Sequence, residues 1–414
     1  MSALRRRFPP AHRATTAHLQ AVYPFLAEAD LGCRGVYLGR DLYGGAFCFD
    51  PWELYQRGTL TSPNLLVVGQ IGRGKSSFVK SFVWRQAALG RLAWVVDPKG
   101  EYGPLAEAFG VCPVKLEPGG SVKLNPLDAG GRERSGRRQA ELLCTLAATS
   151  LERRLRPAER SALEVAVSGS WRRNPLTLTD VIAALLDPDP GMAASLHCGV
   201  SDLISDSREV ALELRRLVEG DLAGMFDGPT SPGIDLNGPL VVLDLSAVYA
   251  SPALGILMAC ATGWLQASLG RHDGAKRLLV VDEAWAILHS VSMARWLQAV
   301  FKLSRSFGVA NIAVLHRLSD LSAAGAAGTE QSRLAEGLLA DSETRVIFGQ
   351  PPSEIESARK LLGLSSTEAE VVAHLPKGMS LWKVGLRSFV VEHRLSAAEL
   401  RLVDTDSAMR DGHS

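Results

Sequence analysis

Eight consecutive residues, Gly69-Gln70-Ile71-Gly72-Arg73-Gly74-Lys75-Ser76, place glycines, a lysine and a hydroxyl at the spacing of a phosphate-binding loop. Glycines let successive backbone N–H groups curl around phosphate oxygens, and the positive end of a following helix adds to their pull. Lys75 is placed to reach β- and γ-phosphates and Ser76 to ligate Mg2+, with Ser77 next in the same turn. The cofactors this pattern asks for are ATP and Mg2+.

Such a loop needs a second carboxylate for the metal and a base for an attacking water. Arg277-Leu278-Leu279-Val280-Val281-Asp282-Glu283 supplies both. Four apolar residues make a buried strand, which puts Asp282 at its C-terminal end beside the loop, as a metal ligand. Glu283, one residue further into the crevice, is suited to polarise water for in-line attack. The plainer reading of Glu283 is an acid at a helix start, stabilised by the helix dipole.

The elements that must carry these residues follow from periodicity. Leu65–Val68 is a short apolar run of the buried-strand kind, and Ser76–Leu89 reads as a helix. Leu92–Val96 repeats the strand pattern and ends in Asp97, and further strands are expected at Leu240–Leu245, Leu278–Val281, Asn311–Leu315 and Val346–Gly349. Helical segments lie between most of them, so the expected fold is α/β with a mostly parallel sheet.

Residues 130–224 break the rhythm. Amphipathic helices are expected near Gln139–Ser150, Pro157–Trp171, Thr179–Leu186 and Val200–Glu219, with no strand among them. Residues 132–160 carry eight Arg against four Glu, whereas residues 202–227 carry seven acids against three Arg. The expected organisation is a lead-in over 1–60 with a hairpin at Gly35–Asp50, a core of 61–129 and 225–395, an all-α insertion at 130–224, and a C-terminal tail at 396–414.

Composition constrains the rest. With 414 residues and 46% apolar content, the chain can bury a large core. A net charge of +1 gives no global attraction for nucleic acid, although a local groove stays open. The six cysteines are scattered with no Cys-x-x-Cys pair, the usage of a reduced chain without structural zinc. The most apolar stretch, Leu254–Leu269, is too short to span a bilayer and contains Gln266.

Asp282-Glu283-Ala284-Trp285, after its apolar strand, resembles the motor ATPases of type IV secretion and conjugation in the HerA–FtsK superfamily. Asp97-Pro98-Lys99-Gly100-Glu101-Tyr102 is similar to that group's acidic strand-end motif. Met225-Phe226-Asp227-Gly228 and Val241-Val242-Leu243-Asp244-Leu245-Ser246 resemble its return from a helical insertion and the next strand. The resemblance spans Gly35 to Val391. It implies a RecA-like P-loop NTPase core with an all-α insertion, Mg2+-dependent ATP hydrolysis and a ring-shaped homo-hexamer. The implied setting is cytoplasmic, at the inner face of a membrane, with membrane-embedded secretion or conjugation components as partners and DNA as a further one.

The resemblance also assigns residues. Arg305 matches an arginine finger that reaches the neighbouring subunit's nucleotide, its plainer reading being a surface helix arginine. His316 stands where the family usually has a glutamine that senses γ-phosphate, so sensing is altered or passes to Arg317; a structural polar residue is the alternative. Asp97 and Glu101 either support the water and magnesium shell or cap local backbone, and Arg345 is a weaker trans candidate. Two other functions stay open: a soluble DNA translocase or helicase, and a nucleotide-dependent switch or scaffold with little turnover.

Overall fold

The computed structural model describes residues 31–128, 136–151, 153–169, 175–220, 222–234, 238–249, 251, 254, 257–258, 274–285, 291–303, 308–316 and 330–403. Its frame is one eleven-stranded sheet. The strands are β1 (Val36–Asp41), β2 (Ala46–Phe49), β3 (Leu65–Val68), β4 (Leu92–Asp97), β5 (Val114–Lys115), β6 (Leu240–Asp244), β7 (Arg277–Val281), β8 (Val309–Leu315), β9 (Thr344–Phe348), β10 (Met379–Val384) and β11 (Arg387–His393). Their spatial order is β2-β1-β11-β10-β9-β3-β8-β7-β4-β6-β5. From β9 to β5 the pairings are parallel, and from β10 to β2 antiparallel.

The parallel strands are apolar along their length because both faces are covered. On β3, β4 and β7, alternate residues enter two apolar clusters. Leu66, Val68, Trp94, Val96, Leu279 and Val281 belong to one; Leu65, Val67, Ala93, Val95, Leu278 and Val280 belong to the other. Removing each such aliphatic side chain from water contributes about 1.5–3 kcal/mol, so the sheet register is strongly specified.

Between β5 and β6 the described secondary structure is helical: Gly136–Ser150, Pro157–Gly169, Leu178–Leu186, Pro190–Ser195 and Val200–Glu219. These helices share the first apolar cluster with the sheet, so the segment is packed onto the core rather than set apart from it. Thr177 and Asp180 form a reciprocal cap on Leu178–Leu186. Glu159 is fully buried, and Arg153 and Arg156 hold its carboxyl down to about 2, against the opposing effect of its burial.

Two expectations about the ends change. The second half of the lead-in is part of the sheet: β1 pairs with β11 through Gly39–His393 and Arg40–Glu392. Phe47 and Phe49 of β2 pack on Trp382 with ring centroids 5.1 and 5.0 Å apart. Aromatic burial of this size draws the hairpin into the core. Likewise, part of the expected tail is the helix Ala397–Val403, clamped to the helix Lys75–Ala87 by Arg85 and Glu399 at 2.5 Å. Residues 404–414 lie outside the described ones.

Candidate functional site

A parallel sheet sends the C-terminal ends of its strands to one edge, where ligands of such folds bind. Here that edge collects the loop after β3, His316 after β8, Asp282 and Glu283 after β7, and Asp97–Tyr102 after β4. β8 stands between β3 and β7, so Asp282 lies one strand beyond the loop's nearest neighbour, close enough for its charge to act on Lys75. The registers Val68–Leu315 and Val281–Ala313 therefore place His316 between the loop and the acidic pair.

The loop is shaped by close approach. A Cβ on Gly69 would come within 2.5 Å of the Cβ of Phe348 on β9, and Gly74 opens the helix Lys75–Ala87 at φ +109°. Both positions exclude other residues on steric grounds. Gln70 N donates to Gly349 O at 3.1 Å, and Gly378 N to Arg73 O at 3.0 Å, tying the loop to β9 and to the turn before β10. Arg73 Nε lies 3.3 Å from Gln70 Oε1, while Ile71 and Gly72 are exposed at the tip. Ser76 and Ser77 begin the helix, half-buried.

Lys75 is buried, and its ammonium donates to the carbonyls of Gly69 (2.5 Å) and Gln70 (3.1 Å). Burial lowers its pKa to about 8, opposed by the negative charges of Asp282 and Glu283. A lysine so placed is a point charge held inside the loop, free of any carboxylate partner within the loop itself.

Asp282 and Glu283 are bound differently. Asp282 Oδ2 accepts from the buried Tyr102 hydroxyl at 3.2 Å, and Oδ1 from Glu283 N at 2.9 Å. Burial, reinforced by the charge of Glu283, raises the Asp282 pKa. Glu283 sits in the left-handed region at φ +51°, a conformation that costs a residue of this type about 1–3 kcal/mol and recurs at functional sites. Its Oε1 meets His316 Nε2 at 2.5 Å and also the Lys99 ammonium; its Oε2 accepts from Trp285 Nε1. Burial alone would raise this pKa, but His316 and Lys99 outweigh it and hold the carboxyl at about 2. The neighbour of His316 at this end of the sheet is the glutamate.

Asp97 caps its own turn. Its Oδ1 accepts from Lys99 N (3.2 Å) and Gly100 N (2.9 Å), and its Oδ2 from Tyr102 N (2.9 Å). Burial raises its pKa to about 6 despite those backbone donors. Glu101 lies half-buried in the same turn, and its charge acts on Lys75, Lys80 and Tyr102.

The Arg345 guanidinium donates to the carbonyls of Ser342, Leu339 and Leu362 at 3.3, 3.0 and 2.8 Å, three contacts within this chain. Arg305 and Arg317 lie outside the described residues. Reading the sequence singled out neither Lys99 nor Tyr102. The one available signal was their position two and five residues past a strand-ending aspartate, and only strand order brings them to the acids.

No protein-family model and no curated protein matches the sequence. Solved structures do. VirB4 of Thermoanaerobacter pseudethanolicus superposes with a TM-score of 0.73 at 19% identity, covering 90% of this chain and 100% of that one. The bacterial conjugative coupling protein TrwBdeltaN70, in an unbound form, gives 0.61 at 16% identity over 87% and 90% of the two chains. The plasmid coupling protein TrwB in complex with ADP and Mg2+ gives 0.53 at 17% identity over 80% and 86%. This chain has the P-loop NTPase fold of VirB4 and TrwB. At these identities the likeness establishes the fold, and roles of individual residues must come from the geometry.

Proposed function

We propose that this chain is a Mg2+-dependent ATPase that drives a conjugative transfer or type IV secretion apparatus as a ring of six subunits. The observation that supports it most is the convergence, on one edge of a parallel sheet, of a glycine-shaped loop, a buried lysine and an ordered acidic pair.

The residues fit a magnesium-bound triphosphate. The loop has a glycine where any side chain would collide with Phe348, and it holds a buried cation against its own carbonyls. Ser76 and Asp282 offer hydroxyl and carboxylate oxygens, the donors a hard cation takes. Bound Mg2+ supplies charge neutralisation to the phosphoryl oxygens during transfer. Lys75 and the loop amides would hold the β- and γ-phosphates, as would Ser76 and Asp282 the metal. Glu283 would orient the attacking water and receive its proton. Arg305 would reach the nucleotide of the next subunit, and His316 would report through Glu283.

Substituting Glu283→Gln tests this reading. Steady-state hydrolysis is expected to fall by about 100-fold or more, with nucleotide affinity retained. Equal slow turnover in both proteins would mean a switch or scaffold instead. DNA enters as a substrate through the likeness to a plasmid coupling protein. It predicts DNA-stimulated turnover that weakens steeply with salt. Among the described residues no helix is long and apolar enough to cross a membrane.

A further inference from the structure

The turn after β4 brings to Glu283 a residue that the motifs leave without a role. Lys99 forms an ion pair with Glu283 Oε1, and its ammonium lies 3.3 Å from His316 Nε2, which contacts the same oxygen. The pair is asymmetric in exposure: the Lys99 side chain is 28% exposed and that of Glu283 is 1%. The ammonium also lies over the ring of Tyr249, 5.8 Å from its centroid.

The placement is built rather than incidental. β4 runs beside β7 with Val96 opposite Val281, so the residues that follow the two strands emerge side by side. Asp97 pins the turn through the amides of Lys99, Gly100 and Tyr102. Gly100 takes φ +71°, and a Cβ there would press to 3.2 Å from Ser246. The backbone of the turn is thus held on both sides of Lys99, whose ammonium meets Glu283 after β7.

Resting on the hydrolytic reading above, we propose that Lys99 is a positioning residue for Glu283, fixing the plane of its carboxylate for the attacking water. Glu283 leaves β7 in a left-handed backbone conformation, so its side chain does not continue the strand's direction. Trp285 restrains Oε2, whereas His316 and Lys99 share Oε1. Removing Lys99 leaves a single neighbour on Oε1 and lets the carboxylate turn about its last bonds. A base must lie within hydrogen-bond reach of the proton it takes, and misplacement of a reacting group by about 1 Å costs on the order of 100-fold.

The test uses the full chain and compares Lys99→Met, Lys99→Arg and Glu283→Gln with wild type. The readouts are ATP hydrolysis at saturating Mg2+ and binding of a fluorescent ATP analogue. Lys99→Met is expected to lose about 10- to 100-fold in kcat, with KM and analogue affinity within about 2-fold of wild type. Lys99→Arg, which keeps the charge, should recover a substantial part. Lys99→Met turning over at or above the wild-type rate, while Glu283→Gln is inactive, overturns the inference and leaves the hydrolytic reading standing. Lys99→Arg as slow as Lys99→Met, with both binding the analogue normally, also overturns it. Wild type and Glu283→Gln turning over equally would remove the hydrolytic reading, and this inference with it.

Discussion

Two adjacent acids at the end of β7 have their pKa values pushed in opposite directions by what lies next to each. Asp282 is buried against the Tyr102 hydroxyl and the charge of Glu283, which raises its pKa, so a nearby cation would do most to complete it. Glu283 is already charged and carries donors from three side chains. That division suits a metal ligand beside a water-orienting carboxylate. It also makes Tyr102 testable apart from the chemistry. Tyr102→Phe removes one donor to Asp282 and no reacting group. The Mg2+ concentration for half-maximal hydrolysis should shift by a few-fold, in line with roughly 1 kcal/mol for one hydrogen bond, while kcat at saturating Mg2+ stays near wild type. A magnesium titration of ATPase activity reads both. Asp282 and Glu283 were legible in the sequence because an apolar strand ending in two acids has a local pattern. Tyr102 and Lys99 were not, because their partners lie about 180 residues away.

At the level of elements, the hairpin β10–β11 carries a second kind of constraint. His393, at the end of β11, stacks on Phe348 and meets Phe78 at a tilt, with centroids 5.5 and 4.9 Å away. Ser380 Oγ lies 2.7 Å from its Nε2, and the Trp382 indole N–H donates to the same nitrogen at 3.5 Å. A nitrogen that accepts from an indole cannot carry a proton, so the ring is neutral. Burial, with the charge of Arg85 adding to it, lowers its pKa to about 3. The folded value lies below the unfolded one, so this contribution is complete above about pH 6.5 and is lost progressively as pH falls toward 3. Between pH 7 and 5 the loss should be about 2 kcal/mol. Asp97, whose pKa is raised to about 6, acts in the opposite direction over the same range. The comparison is therefore with His393→Gln: urea unfolding at the two pH values should show a smaller acid loss in the variant. The hairpin itself had been missed in the sequence. Met379–Val384 and Arg387–His393 alternate only in part, and the turn at Gly385, φ +57°, is brief. Aromatic packing across the sheet, rather than local periodicity, decides that they are strands.

At the scale of the molecule, the site lies at the C-terminal ends of the parallel strands of one continuous sheet. A ring predicts that hydrolysis depends on assembly. Native mass with ATP and Mg2+ should show hexamers, and Arg305→Ala should lose hydrolysis by about 10³-fold while keeping nucleotide binding. A monomeric protein with full activity, or an active Arg305→Ala, would discard the finger. What the sequence determined by itself was local: the glycine spacing of residues 69–74, the helix that follows, the apolar strands and the acids at their ends. Each follows from backbone freedom or from the periodicity of burial within a dozen residues. Strand order belonged to the tertiary structure. It set β8 between β3 and β7, brought Lys99 to Glu283, and drew the lead-in hairpin and the helix Ala397–Val403 into the core. Parallel strands need long crossovers, so their neighbours are chosen by packing between distant segments, which no local pattern records.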